Sequence, residues 1–123
     1  MTDRSPLMFG RLDRAGIVLS GLCAVHCLMT IVLVSVLGVG SQFLLAPAVH
    51  EYGLGAAALI AAVSVGWNAA SYRRRAPLVT GLAGLGCMSA ALLGPHGLSE
   101  AVLTLAGVAL VALSHVLSLR AAR

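Results

Sequence analysis

Four long apolar stretches dominate the chain, and short polar segments separate them. They cover about residues 15–38, 50–71, 77–94 and 99–119. A helix needs roughly 17–25 apolar residues to cross about 30 Å of hydrocarbon, so each stretch is long enough, or nearly so, to span a bilayer. The pattern predicts an all-α, integral membrane four-helix bundle, with residues 1–123 as a single domain.

The composition agrees with lipid as the solvent. Of the 123 residues, 59% are hydrophobic and only 10% are charged, whereas soluble domains carry about 25% charged residues. A soluble domain this small would lack the polar residues to cover its surface, because small domains have the most surface per unit volume. The lipid bilayer is therefore the first partner that we expect.

The basic residues define an orientation. All eight are arginines, and they lie before the first stretch, at Arg73–Arg75, and after the fourth stretch. Basic residues accumulate in cytoplasmic loops, so we expect both termini and the Arg73–Arg75 loop on the cytoplasmic side of a multi-pass membrane protein. Because the arginines border apolar stretches, they indicate membrane topology and not nucleic-acid binding.

Small and polar residues indicate which helix faces meet, since leucine is equally at home against lipid and against protein. They recur every three or four residues, which places them on one face of each helix. The four predicted inner faces are Asp13, Gly16, Ser20, Cys23, Cys27 and Thr30; Ala57, Ala61, Ser64, Asn68 and Ser71; Gly81, Gly84, Cys87 and Ala91; and Glu100, Thr104, Gly107, Val111, Ser114 or His115, and Ser118.

Cys23, His26 and Cys27 form the sharpest chemical cluster, about halfway along the first span. Cysteines four residues apart on a helix have Cβ atoms about 5–6 Å apart, so both sulfurs can reach one ion. Thiolates select soft or borderline ions, and the imidazole extends the choice to zinc and copper. Cysteine is also a common buried packing residue, but an ionisable histidine within a membrane is by default a functional hypothesis.

Further candidate ligands are less specific. Cys87 lies at a similar predicted depth and is either a third thiolate or a packing residue. His50 with Glu51 and His96 with Glu100 lie at the predicted outer surface, where they either capture a cation or are interfacial and helix-start residues. His115 lies near the predicted cytoplasmic end of the fourth span, where it either relays an ion or complements the helix C-terminus. These five residues are His50, Glu51, His96, Glu100 and His115.

Several segments resemble the MerC family of inner-membrane mercury-resistance proteins. They are Leu12–Gly16, Ser20–Leu28 with both cysteines, His50-Glu51, Arg73–Arg75 and Ser114–Arg120. The resemblance implies four transmembrane helices and uptake of mercuric ion by a first-span cysteine pair, matched here by Cys23 and Cys27. The best-known mercury transporters of the family have a closer first-span pair without an intervening histidine, and a further cysteine pair in a cytoplasmic tail.

The leading hypothesis is therefore transport of a soft metal ion, Hg²⁺ or alternatively Zn²⁺ or Cu⁺, without a tightly bound cofactor. One alternative is a zinc- or copper-binding subunit that does not transport, with Cys23, Cys27, His26 and Cys87 as ligands. A membrane redox or haem protein is disfavoured, because His26 and His115 lie at different predicted depths. No phosphate-binding glycine motif or Ser-His-Asp order indicates an enzyme. Candidate protein partners are a second copy of the chain or other metal-handling proteins.

Overall fold

A computed structural model describes residues 4–37, 46–95, 97–121 and 123. In this part of the chain the structure is entirely helical and has no strand. The helices are α1 (Arg4–Leu37), α2 (Pro47–Tyr72), α3 (Ala76–Leu93) and α4 (Leu98–Ala121). Each is long and apolar enough to cross a membrane, which confirms the prediction of an all-α protein with four spans.

The largest difference from the predicted spans is at the start of α1. The helix begins at Arg4, and its apolar span runs from Leu7 to Leu33, whereas the sequence predicts a start near residue 15. The additional residues continue the same helix, and within them Asp13, which the sequence places on the inner face of α1, is fully buried in the bundle. The predicted end at residue 38 lies outside the described residues, and the other helix ends agree within three residues.

Proline and glycine positions account for the ends of the other helices. Pro47 opens α2, and Pro77 occupies the first turn of α3, where a missing backbone N–H costs no hydrogen bond. Gly94 follows α3 and donates its backbone N–H to the Ala90 carbonyl. Gly97 precedes α4 with a φ of 143°, a conformation that glycine adopts readily and other residues rarely do.

Neighbouring helices run antiparallel, so the bundle has two distinct ends. At the terminus end α1 and α3 begin and α2 and α4 end, and there Phe9 stacks on Trp67 with ring centroids 5.2 Å apart. At the loop end α1 and α3 end and α2 and α4 begin. The backbone of α4 lies close to all three other helices, whereas no Cα atom of α1 lies within 8 Å of a Cα atom of α3 in the described part of the chain.

The predicted inner faces are buried with few exceptions. On α1, Asp13, Gly16, Ser20 and Cys27 are buried. The inner faces of α2 and α4 are buried from Ala57 to Asn68 and from Thr104 to Ser118, whereas Ser71 is exposed and Glu100 is half-buried. On α3, however, the most buried positions include Met88 and not Cys87, which is only half-buried. Helical spacing from Gly84 to Ala91 admits either residue, so the sequence pattern alone could not separate them.

Glycines bring α3 and α4 into close contact. A Cβ added to Gly84 would lie 2.7 Å from the Gly107 carbonyl oxygen, and one added to Gly107 would lie 2.6 Å from Cγ of Met88. Small residues at membrane helix contacts allow this backbone approach. Nearby, the Ser114 hydroxyl donates a hydrogen bond of 2.6 Å to the Pro77 carbonyl, which joins the same two helices.

Gly84→Val is expected to destabilise the bundle, because the new side chain would overlap the α4 backbone. Overpacking of this kind costs about 1–3 kcal/mol, measurable as a lower midpoint of thermal unfolding in detergent by circular dichroism. Gly86→Val is the matched control, since a Cβ at Gly86 meets nothing within 4 Å. Equal midpoints for the two variants would contradict the tight α3–α4 contact.

Candidate functional site

A small cavity inside the bundle brings the predicted thiol cluster together. Its volume is about 30 Å³, and its walls come from all four helices. The lining residues are Cys23, His26, Cys27, Val49, Gly53, Leu54, Met88 and Thr104. A space of this size holds about one small molecule or ion. The three α1 residues singled out by the sequence therefore share one small, partly open site.

Helical geometry places both thiols at the cavity wall. Cys23 and Cys27 are one turn apart, and Cys27 is only 8% exposed. Opposite them, the lack of a side chain at Gly53 leaves room for Cys23, whose Sγ would lie 3.8 Å from a Cβ added there. The three cysteines form no disulfide within the described chain, so thiol chemistry is available.

The cavity lies toward the loop end of the bundle. Cys23 and Cys27 lie past the middle of α1, and Val49 and Thr104 belong to the first two turns of α2 and α4.

Acidic residues surround the loop end, as the sequence predicts. The Glu100 carboxylate lies within electrostatic range of Cys27, and Glu51 is exposed near the start of α2. A carboxylate next to the cavity favours the approach of a cation, because opposite charges attract strongly where water is scarce. The His50 side chain and all of His96 lie outside the described residues.

Cys87 does not line the cavity. It lies on α3, which has no Cα atom within 8 Å of a Cα atom of α1 in the described part of the chain, while the neighbouring Met88 reaches the cavity. Over the described residues, no group of three or more His, Cys, Asp or Glu side chains is arranged to hold a metal ion. The four-ligand set of Cys23, Cys27, His26 and Cys87 is therefore not assembled in this structure.

The structure places His115 elsewhere, in a buried polar cluster toward the terminus end. His115 Nδ1 lies 2.8 Å from Asp13 Oδ1. The Ser118 hydroxyl donates to Asp13 Oδ2 at 2.9 Å, and Asn68 Nδ2 donates to the same oxygen at 3.2 Å and to Ser118 Oγ at 2.6 Å. These four residues, termed the polar cluster below, join α1, α2 and α4.

The geometry of the polar cluster indicates how Asp13 is held. Its two oxygens accept hydrogen bonds from Ser118 and Asn68 and lie next to His115 Nδ1, so a fully buried polar group is provided with partners. His115 Nε2 is buried and has no hydrogen-bond partner among the described residues. The imidazole packs against Gly16, where any side chain would overlap the ring. His115 thus pairs with Asp13, whereas His26 lines the cavity, so the two histidines are not arranged to share a haem.

The sequence identified the faces of the polar cluster but not its partners. Asp13, Asn68 and Ser118 all lie on predicted inner faces, and burial of an ionisable residue in a span is a sign of function or pairing. Which donor meets Asp13 depends on the register between helices up to 105 residues apart. Packing between the helices sets that register, so the sequence of one helix alone does not reveal it.

Comparison with known proteins identifies one family. The sequence profile of the MerC mercury resistance protein family matches residues 13–120, which is nearly the whole chain. No curated protein and no solved structure gives a significant match. The matched range contains the cavity and the polar cluster.

Asp13→Ala is expected to destabilise the protein more than the loss of an exposed carboxylate. The substitution leaves His115, Asn68 and Ser118 without their buried acceptor, and breaking a buried pair costs about 3–5 kcal/mol. Denaturant unfolding in mixed micelles, with Glu51→Ala as the exposed control, measures the difference.

A double-mutant cycle with His115→Ala tests the pairing itself. Partners in direct contact show non-additive effects, so the double variant should lose less stability than the sum of the single variants. Simple additivity would contradict the Asp13–His115 contact.

Proposed function

Because this chain belongs to the MerC mercury resistance family, we propose that it carries mercuric ion across the inner membrane and that Cys23 and Cys27 take the ion. One observation carries the proposal: both thiols line a single ion-sized cavity in the interior of a four-span bundle. The family is one of membrane resistance proteins, and the proposal assigns no reaction to the chain.

Charge balance favours a divalent ion held by two thiolates. When Hg²⁺ replaces the two thiol protons, the product is an uncharged complex, Hg(SR)₂, and two protons are released. An uncharged complex avoids the large cost of burying a net charge away from water. The cavity has the two soft donors that this chemistry requires and apolar walls around them.

Zinc is less suited to the same cavity. A structural zinc site is tetrahedral and takes four protein ligands. The described residues provide no group of three or more His, Cys, Asp or Glu side chains for a metal. A two-coordinate ion, in contrast, is complete with Cys23 and Cys27. The ligand count therefore favours mercuric ion over the non-transporting zinc subunit.

The position of the cavity suggests a direction. The loop end faces outside if the arginine-rich terminus end is cytoplasmic, so the ion would reach Cys27 from outside, past Glu100. The polar cluster occupies the interior on the terminus side of the cavity. Inward release would then follow ligand exchange with another thiol, after α1 and α4 separate around Gly16 and His115.

Cys23→Ser and Cys27→Ser are each expected to abolish tight Hg²⁺ binding and uptake. Serine keeps the size of the side chain but replaces a soft donor with a hard one. Loss of a supporting residue already costs roughly 10–100-fold in metal affinity, and loss of one of only two ligands should cost at least as much. Binding to purified protein and mercury accumulation in intact cells are the measurements.

Cys87→Ser is the matched control, because Cys87 is a half-buried thiol outside the cavity. It should retain binding and uptake close to those of the parent protein. If the Cys23/Cys27 double serine variant accumulates mercury as well as the parent does, the transport proposal is wrong.

The proposed orientation predicts the outcome of reporter fusions. A reporter that is active only outside the cytoplasm should be inactive when fused after Arg123 and active when inserted next to Pro95, because basic segments stay inside. A cytoplasmic reporter should show the reverse. Activity of the exported reporter at Arg123 would show that the topology, and with it the direction of uptake, is the reverse of the one proposed.

A further inference from the structure

Met88, a third sulfur-containing residue, lines the cavity that holds the two thiols. It is the α3 residue that lines the cavity, together with Cys23 and Cys27, and only 8% of its surface is exposed. A thioether is a soft donor that carries no charge and releases no proton. The sulfur set therefore consists of two ionisable donors and one neutral donor.

The packing of α3 against α4 accounts for the placement of Met88. Gly107 has no side chain where the Met88 stem passes, since a Cβ there would lie 2.6 Å from Cγ of Met88. Methionine is long and flexible, so its side chain reaches the cavity although no Cα atom of α3 lies within 8 Å of a Cα atom of α1 in the described residues. Met88 also belongs to the buried apolar cluster against which Cys23 packs.

We propose that Met88 is a metal ligand that equips the cavity for a monovalent soft ion, copper(I) or silver(I). This inference rests on the proposed function and extends its substrate class. One thiolate and the Met88 thioether bind the monovalent ion as an uncharged complex: the ion replaces one thiol proton, one metal–thiolate bond and one metal–thioether bond form, and the second cysteine stays a thiol.

The charge of the ion determines how many thiolates it needs to form an uncharged complex. A monovalent ion held by both thiolates would leave a net negative charge in a low-dielectric cavity near Glu100, which is unfavourable. Mercuric ion needs both thiolates for neutrality and does not need Met88. The same cavity thus binds divalent mercury through two cysteines and a monovalent ion through one cysteine and Met88.

The test uses the full-length protein in detergent, in chloride-free buffer, with silver(I) and mercury(II) as separate probes. Met88→Leu removes the sulfur and nearly preserves the volume. It should weaken silver binding roughly tenfold or more, as expected for loss of a ligand, and leave mercury binding nearly unchanged. The matched control is Met29→Leu, because Met29 lies on α1 close to Cys27 but is 51% exposed. It should alter neither affinity.

Proton release gives an independent readout. Silver should release one proton per ion bound and mercury two, measured in weakly buffered solution. Release of two protons on silver binding, or equal silver affinity of Met88→Leu and the parent, would overturn the proposal.

A measurement without substitution covers the case in which Met88→Leu fails to fold. In parent protein labelled with ¹³C at the methionine methyl groups, silver binding should shift one of the four methionine signals. Silver binding that shifts none of them rules out Met88 as a ligand. If mercury uptake requires Cys23 and Cys27 but silver binding does not depend on Met88, only this inference fails. If mercury uptake survives loss of both cysteines, the proposed function itself fails.

Discussion

The Asp13 side chain is fully buried inside the bundle, and two neighbouring helices supply its hydrogen-bond partners. His115 and Ser118 come from α4 and Asn68 from α2. A buried polar group without such partners is costly. Because each donor lies on a predicted inner face, satisfying Asp13 also fixes the rotation and register of α1 relative to α2 and α4.

That register places the cavity. Cys23 and Cys27 lie ten and fourteen residues beyond Asp13 on the same face of α1, about 15–21 Å further along the helix. Once Asp13 is anchored at the terminus end, the thiols necessarily meet the first turns of α2 and the second turn of α4. The glycine contact between α3 and α4 then brings Met88 to the same place. The candidate metal site is thus a consequence of packing elsewhere in the bundle.

The two histidines lie in different surroundings. His26 lines the cavity beside two thiols. His115 is fully buried next to the Asp13 carboxylate, and its ring packs against Gly16. In lipid, where polar groups must find partners within the protein, the His115–Asp13 contact joins α4 to α1.

The sequence by itself determined the four spans, the inner faces, the Cys23–Cys27 pair and the family, because these depend on local composition and on helical spacing within one segment. It placed the start of the first span near residue 15, whereas α1 begins at Arg4, because the arginines before residue 15 interrupt the apolar pattern. Only the tertiary structure decided that Met88 and not Cys87 reaches the cavity, because both fit the spacing on α3. The contacts between helices distant in sequence set the rotation that selects one of them.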